Sequence, residues 1–234
     1  MSGPCPDPPP QPQGRESPRA IVRDALGIGI ASGAYAISFG AISATSGLSL
    51  AQTCFLSIVM FTGASQFALV GVIGAGGSGW AGAATAALLG TRNGLYGLRL
   101  SSLLDVRGWR RLLTAHFVID ETTAMAIARD DPLRSRFAFW ATGLALFTLW
   151  NLGTLTGALA TRALPDPRVL GLDAAPPAAF LALLAPRLRA REPLAIAGAS
   201  AVVALVVLPF VPAGVPLLVV ALLVALYGVR AGRP

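Results

Sequence analysis

Residues 24–47, "DALGIGIASGAYAISFGAISATSG", carry a single charge among apolar and small side chains. About 20 predominantly apolar residues are enough to cross the hydrocarbon core of a bilayer. Without water to satisfy backbone N–H and C=O groups there, such a segment must close its own hydrogen bonds as a helix. Arg15, Arg19 and Arg23 precede it, and basic flanks mark the cytoplasmic side, so the N-terminus is expected there.

Outward from this span the pattern repeats. Apolar segments are expected at residues 50–76, 80–104, 114–128, 137–160, 170–186, 194–211 and 215–229, separated by short polar connections such as "DVRGWRRLL" and "RDDPLRSR". The 170–186 segment is short and interrupted by prolines. The expected fold is all-α: a polytopic transmembrane helix bundle of six to eight apolar segments, some short or broken. A loose internal echo accompanies it, with "FGAISATSGLSLAQTCFL" and "LTGALATRALPDPRVLGLDAAPPAAFLALL" sharing the order glycine, loop, Gly-Leu, apolar segment. Transporters often carry such repeats, each with a broken helix.

Composition agrees. The chain is 54% hydrophobic and only 12% charged, with mean hydropathy +0.67. A soluble domain carries about 25% charged residues. All 18 basic residues are arginine, and they gather in the gaps between spans, which suits setting topology and excludes a nucleic-acid surface. Cys5, Cys54 and a single histidine offer neither a disulfide framework nor a metal site, and no cofactor is expected. Residues 1–19, rich in proline and without an apolar stretch before a cleavage site, are expected to be a disordered tail ahead of a permease domain over residues 20–230.

Two topologies fit the arginines. If residues 114–128 cross the membrane, four crossings return the chain inside before residue 137, and Arg107, Arg110 and Arg111 are left outside. If that segment lies on the surface, one earlier segment must be re-entrant.

Several polar groups sit inside the spans. Gly63, Ser65 and Gln66 interrupt "FTGASQF". A buried amide needs a partner, so the group serves either as helix-to-helix glue or as a break whose freed backbone binds a ligand. In "LLGTRNGLYGLRL", Arg92, Tyr96 and Arg99 share one helix face. A central arginine costs roughly 2.5–3.5 kcal/mol to insert, so Arg92 is expected either to clamp a carboxylate or to pair with Asp120 or Glu121. "HFVIDETTA" places His116 and Asp120 one turn apart, with Glu121 beside them. These acids could relay protons, hold an ammonium group or, if the segment is interfacial, simply be solvated. The GxxxG patterns "GIASG", "GTRNG" and "GTLTG" indicate close helix packing.

The ordered motifs "FTGASQFALVG", "LLGTRNGLYGLRLSSLL", "HFVIDETTAMAIAR", "WNLGTLTGALA" and "GLDAAPPAAFLALLAPRLR" together resemble the AzlC family of branched-chain amino acid permeases, over residues 20–229. The resemblance implies the large subunit of a two-component exporter of valine, leucine and isoleucine in the bacterial cytoplasmic (inner) membrane, working with a small AzlD-like membrane subunit. It carries over Gly63, Ser65 and Gln66 as one functional element, Arg92, Tyr96 and Gly97 as a second, and Asp120 and Glu121 as an acidic pair. Trp150, Gly153, Gly157, Gly171, Leu172 and Asp173 match the later motifs. Asn93 departs from the pattern, standing where the family commonly has histidine.

The implied site is therefore Gly63, Ser65, Gln66, Arg92, Asn93 and Tyr96 for substrate, with Asp120 and Glu121 for the ammonium group or a coupling proton. Two other readings compete. One is a transport-accessory or assembly subunit, in which Arg92 and the acids pair structurally. The other is a rhomboid-like intramembrane protease using Ser78 and His116, which requires the nucleophile within reach of its base.

Overall fold

The computed structural model describes residues 17–163, 181, 185–211 and 215–232. Among the described residues there are nine α-helices and no strand. They are α1 (Pro18–Thr45), α2 (Leu50–Val59), α3 (Gly63–Gly74), α4 (Gly79–Leu104), α5 (Arg110–His116), α6 (Asp120–Ile127), α7 (Pro132–Ala163), α8 (Arg191–Val207) and α9 (Val215–Ala231). The disordered tail expected over residues 1–19 lies outside the described residues up to residue 16, as do most of 170–186 and most of the second half of the internal echo. Pro18 and Arg19, expected in the tail, form the first turn of α1, where Ser17 caps the helix by accepting from the Ala20 N–H. Proline suits that position because its missing N–H would have no helical partner.

Helices α1, α4 and α7 contain 28, 26 and 32 residues, or roughly 42, 39 and 48 Å at 1.5 Å per residue, long enough to cross a bilayer. Their directions follow from glycine contacts. Gly29 of α1 lies against Ala145 and Leu149 of α7, Gly33 against Leu149 and Gly153, and Ile37 against Gly157. Residue numbers rise together, so α1 and α7 are parallel. A Cβ on Gly153 would overlap the Gly33 carbonyl oxygen, and one on Gly157 the Ile37 oxygen. The two backbones thus touch through surfaces that only glycine leaves open, the close approach that small residues permit between membrane helices. Helix α4 runs the opposite way. Its far end reaches the start of α7, where Arg136 Nε donates to the Leu103 carbonyl at 3.1 Å and Arg136 lies 3.9 Å from Asp105.

The remaining short helices form two hairpins that reach only half-way. Helix α2 descends from the end of α1, and Ser57 Oγ bonds Thr154 Oγ1 of α7 at 3.2 Å. The chain breaks at Met60–Thr62, where Gly63 meets the Trp150 ring. Helix α3 then climbs back until Gly74 faces Ser46, beside the point where α2 began. At the opposite end α5 enters after α4, breaks at residues 117–119 with Phe117 against Phe147, and α6 returns. Met125 there joins Ile21, Ala25 and Ala138, and Arg129 lies 3.9 Å from Asp24. The tips meet in the middle, with the Phe61 and Phe117 rings 5.8 Å apart and edge-on.

This arrangement departs from both expected topologies at residues 114–128 and agrees with the second in having one earlier re-entrant segment. Residues 114–128 neither cross nor lie on the surface, because α5–α6 is re-entrant; the single apolar segment expected at 50–76 is a re-entrant hairpin as well. Only α1 and α4 run the full height before α7, so the chain returns to its starting end. Arg107, Arg110 and Arg111, which a crossing at 114–128 would have stranded, now share that end with residues 19–23 and 129–136. The connections at the other end, residues 45–49 and 75–78, carry no charge. Helices α8 and α9 pack on one another, and α9 also touches α4.

Candidate functional site

Both hairpin tips open onto one cavity of about 690 Å³. It takes Ser32 and Tyr35 from α1, Phe61–Ala64 from the first tip, Leu89 and Arg92 from α4, Ile119–Glu121 from the second tip, and Leu146 and Trp150 from α7. The midpoints of the three long helices fall at residues 31–32, 91–92 and 147–148. All three contribute their middle turns, so the cavity lies at half-height.

One wall is polar. Arg92 Nη1 pairs with Asp120 Oδ2 at 3.0 Å, and both side chains are about a third exposed, at 32%. The pair is incomplete: Arg92 Nε and Asp120 Oδ1 are buried with no hydrogen-bond partner. Glu121 lines the same space. Among the described residues no basic side chain forms an ion pair with it. Asp120 and Glu121 open α6, where carboxylates are favoured by the helix dipole. The N-terminus of α3, at Gly63 and Ala64, also faces the cavity. The opposite wall is apolar, built from Phe61, Leu89, Ile119, Leu146 and Trp150.

Gln66 is buried away from the cavity, with no exposed surface. Its Nε2 donates to the Met60 and Ser57 carbonyls freed by the break, and its Oε1 accepts from Trp150 Nε1 at 2.9 Å. It therefore fixes the first tip and orients the Trp150 wall. Thr122 does the same for the second tip, accepting from the Ile119 N–H at 3.1 Å and donating to the Phe117 carbonyl at 2.7 Å.

Of the residues expected at the site, the structure brings Gly63, Arg92, Asp120 and Glu121 to the cavity. Ser65 is buried behind the tip, facing Gly90. Asn93 is half-buried with Oδ1 unpartnered, and Tyr96 packs against the hydrophobic core; neither lines the cavity. Sequence reasoning left out Tyr35, Phe61, Leu89, Ile119 and Leu146. A period-3.6 reading of α1 around its midpoint could have found Tyr35; the others depend on where the hairpins turn. Ser78 caps α4 by accepting from the Ala81 N–H at 3.1 Å. His116 packs at half-height on Phe61 and Phe147. The 14 residues from Ser78 to Arg92 span roughly 21 Å of helix, so this serine and histidine form no nucleophile–base pair.

Comparison with known proteins agrees with a membrane setting. The inner membrane protein YgaZ of Escherichia coli (strain K12) is 31% identical over 163 residues, covering 68% of this chain. The matched region spans 65% of that relative, just under two thirds of its length. No solved structure matches. The family described as AzlC protein matches residues 27–164, from the third turn of α1 to the end of α7 and including every residue of the cavity. The chain is a membrane protein of the AzlC family.

Proposed function

We propose that the chain is the large subunit of a two-component exporter of branched-chain amino acids in the bacterial inner membrane, working with a small AzlD-like membrane subunit. The observation that carries this reading is the half-height cavity, which sets a guanidinium and two carboxylates against an apolar wall. An α-amino acid has the complementary form. Its carboxylate meets the unspent donors of Arg92 and the N-terminus of α3. Its ammonium group meets the acidic tip of the second hairpin, and its branched side chain packs on Leu89, Ile119, Leu146 and Trp150. The hairpins, entering from opposite ends, supply a gate on each side.

The test is valine efflux from cells loaded with a valine dipeptide, in a host lacking its own branched-chain exporters, with and without the small subunit. Efflux is expected only when both are expressed; background efflux with both proteins in the membrane would overturn the reading. The Arg92–Asp120 pair also favours a second reading, an accessory subunit in which the charges serve structure. That reading expects Arg92→Ala to lower abundance before flux, whereas the transporter reading expects flux to fall at unchanged abundance.

A further inference from the structure

The second hairpin is held unevenly where its two arms enter the membrane. Its returning arm α6 lies along α7, and Arg129 follows it. The Arg129 side chain is only 7% exposed, donates to the Met125 carbonyl at 2.8 Å and lies 3.9 Å from Asp24. The entering arm α5 buries a single residue, Thr114. Ahead of it, residues 105–113 read "DVRGWRRLL". The chain turns at Gly108, in the left-handed region at φ +63°, and the Arg111 N–H closes the turn on the Gly108 carbonyl at 3.0 Å. Arg107, Arg110 and Arg111 therefore lie on one short corner, and all three are exposed.

This corner is rich in unspent positive charge. Arg107 comes no nearer than 3.9 Å to Asp105, which Arg136 shares at the same distance. At the same end of the bundle Arg23 and Arg134 each have an aspartate at 3.5 Å. Among the described residues Arg110 and Arg111 form no ion pair. The apolar side chains between and after them are uncovered as well, Trp109 at 72% and Leu112 at 78% exposure. Tryptophan beside arginine at the mouth of a membrane segment suits the boundary between headgroups and acyl chains. A soluble anion would satisfy the arginines and leave Trp109 and Leu112 in water. An anionic phospholipid satisfies both, with its phosphate on the guanidinium groups and its chains along the apolar side chains.

We propose that the α4–α5 corner is a binding site for an anionic phospholipid of the cytoplasmic leaflet, and that this lipid anchors the entering arm of the second hairpin. Arg110 and Arg111 donate to the headgroup phosphate, as guanidinium groups do in paired hydrogen bonds. Arg107 adds attraction from across the turn. Setting topology requires only that basic residues lie on this side, which residues 19–23 and 129–136 also supply. The lipid takes the place at the base of α5 that Asp24 takes beside α6. Since α5 leads straight into the acidic tip, the lipid composition of the inner leaflet bears on the wall of the cavity that carries Asp120 and Glu121.

The experiment titrates the full chain in detergent with phosphatidylglycerol or phosphatidylethanolamine and counts bound lipid by native mass spectrometry. Both lipids carry a phosphate, but only the first has a net negative charge. The wild type is expected to prefer phosphatidylglycerol by on the order of tenfold, and R110Q and R111Q should each lower that affinity about fivefold. R110Q/R111Q should abolish the preference, R110K/R111K should keep most of it, and R19Q/R23Q should leave it intact. A wild type without the preference overturns the proposal, as does a preference that survives R110Q/R111Q or is lost equally in R19Q/R23Q. Amide hydrogen exchange in nanodiscs reads the location without any variant. Adding phosphatidylglycerol to a phosphatidylethanolamine membrane should slow exchange over residues 107–113 of the wild type, and unchanged exchange there overturns the site even if the double variant fails to insert.

Discussion

The two hairpins are alike in construction and opposite in chemistry. Each enters half-way, breaks at mid-height, and is held at its tip by a polar side chain from its returning arm, Gln66 in one and Thr122 in the other. The first tip is neutral and tied to α7 through the Gln66–Trp150 bond. The second is acidic and tied to α4 through the Arg92–Asp120 pair. Both hairpins pack on the parallel α1–α7 core, but only the second adds a charged contact that a ligand can compete for. This makes the first the fixed wall of the site and the second its responsive one.

The largest effect is expected where both hairpins lose their common support. Gly157→Leu drives a side chain into the Ile37 carbonyl, and no monodisperse protein should be recovered on size-exclusion chromatography; a folded variant would show that the α1–α7 contact is not the frame. Next comes Gln66→Leu, which takes the acceptor from Trp150 Nε1 and the amide donor from the Ser57 carbonyl, while the Met60 carbonyl keeps the Thr62 N–H. At about 1–3 kcal/mol for each orphaned group, a clear fall in melting temperature is expected. An unchanged melting temperature would undo the idea of a fixed first tip.

Smaller is the coupling across the second tie. A double-mutant cycle of Arg92→Met and Asp120→Asn should give about 0.5–3 kcal/mol in thermal stability, decreasing when saturating substrate is present. Coupling that substrate leaves untouched would make this hairpin as fixed as the other. The smallest effect is expected from Thr122→Val, which removes a local hydroxyl bridge and should cost about 1 kcal/mol. A loss as large as that of Gln66→Leu would mean that the two tips are pinned equally strongly.

The helical class and the membrane setting were legible because hydrocarbon imposes them on composition: residues 24–47 allow little else. A break around Gly63, Ser65 and Gln66 was one of two readings the sequence allowed, beside helix-to-helix glue, since a glutamine in an apolar run needs a reason. What that reason is could not be read, because Gln66 reaches a residue 84 positions away, Trp150. Re-entrance was hidden for a related cause. A continuous apolar stretch such as 50–76 has the composition of a crossing helix, and only the contact of Gly74 with Ser46 reveals that it turns back. Arg92 and its acids were recognisable from the cost of burying charge, but their unequal division, Asp120 paired and Glu121 not, depends on side-chain geometry at the start of α6.

The glycine-to-backbone contact between α1 and α7 also bears on how the chain is assembled at the ribosome. Gly29 waits for Ala145, made 116 residues later. At roughly 5–20 residues per second, α1 spends several seconds to some tens of seconds in the bilayer with its glycine face bare. During that interval its exposed backbone groove is open to any neighbouring helix rich in small residues. Correct folding thus depends on the late arrival of α7 outcompeting those encounters, and slowed synthesis between the two helices should lower the yield of protein whose finished structure is unaltered.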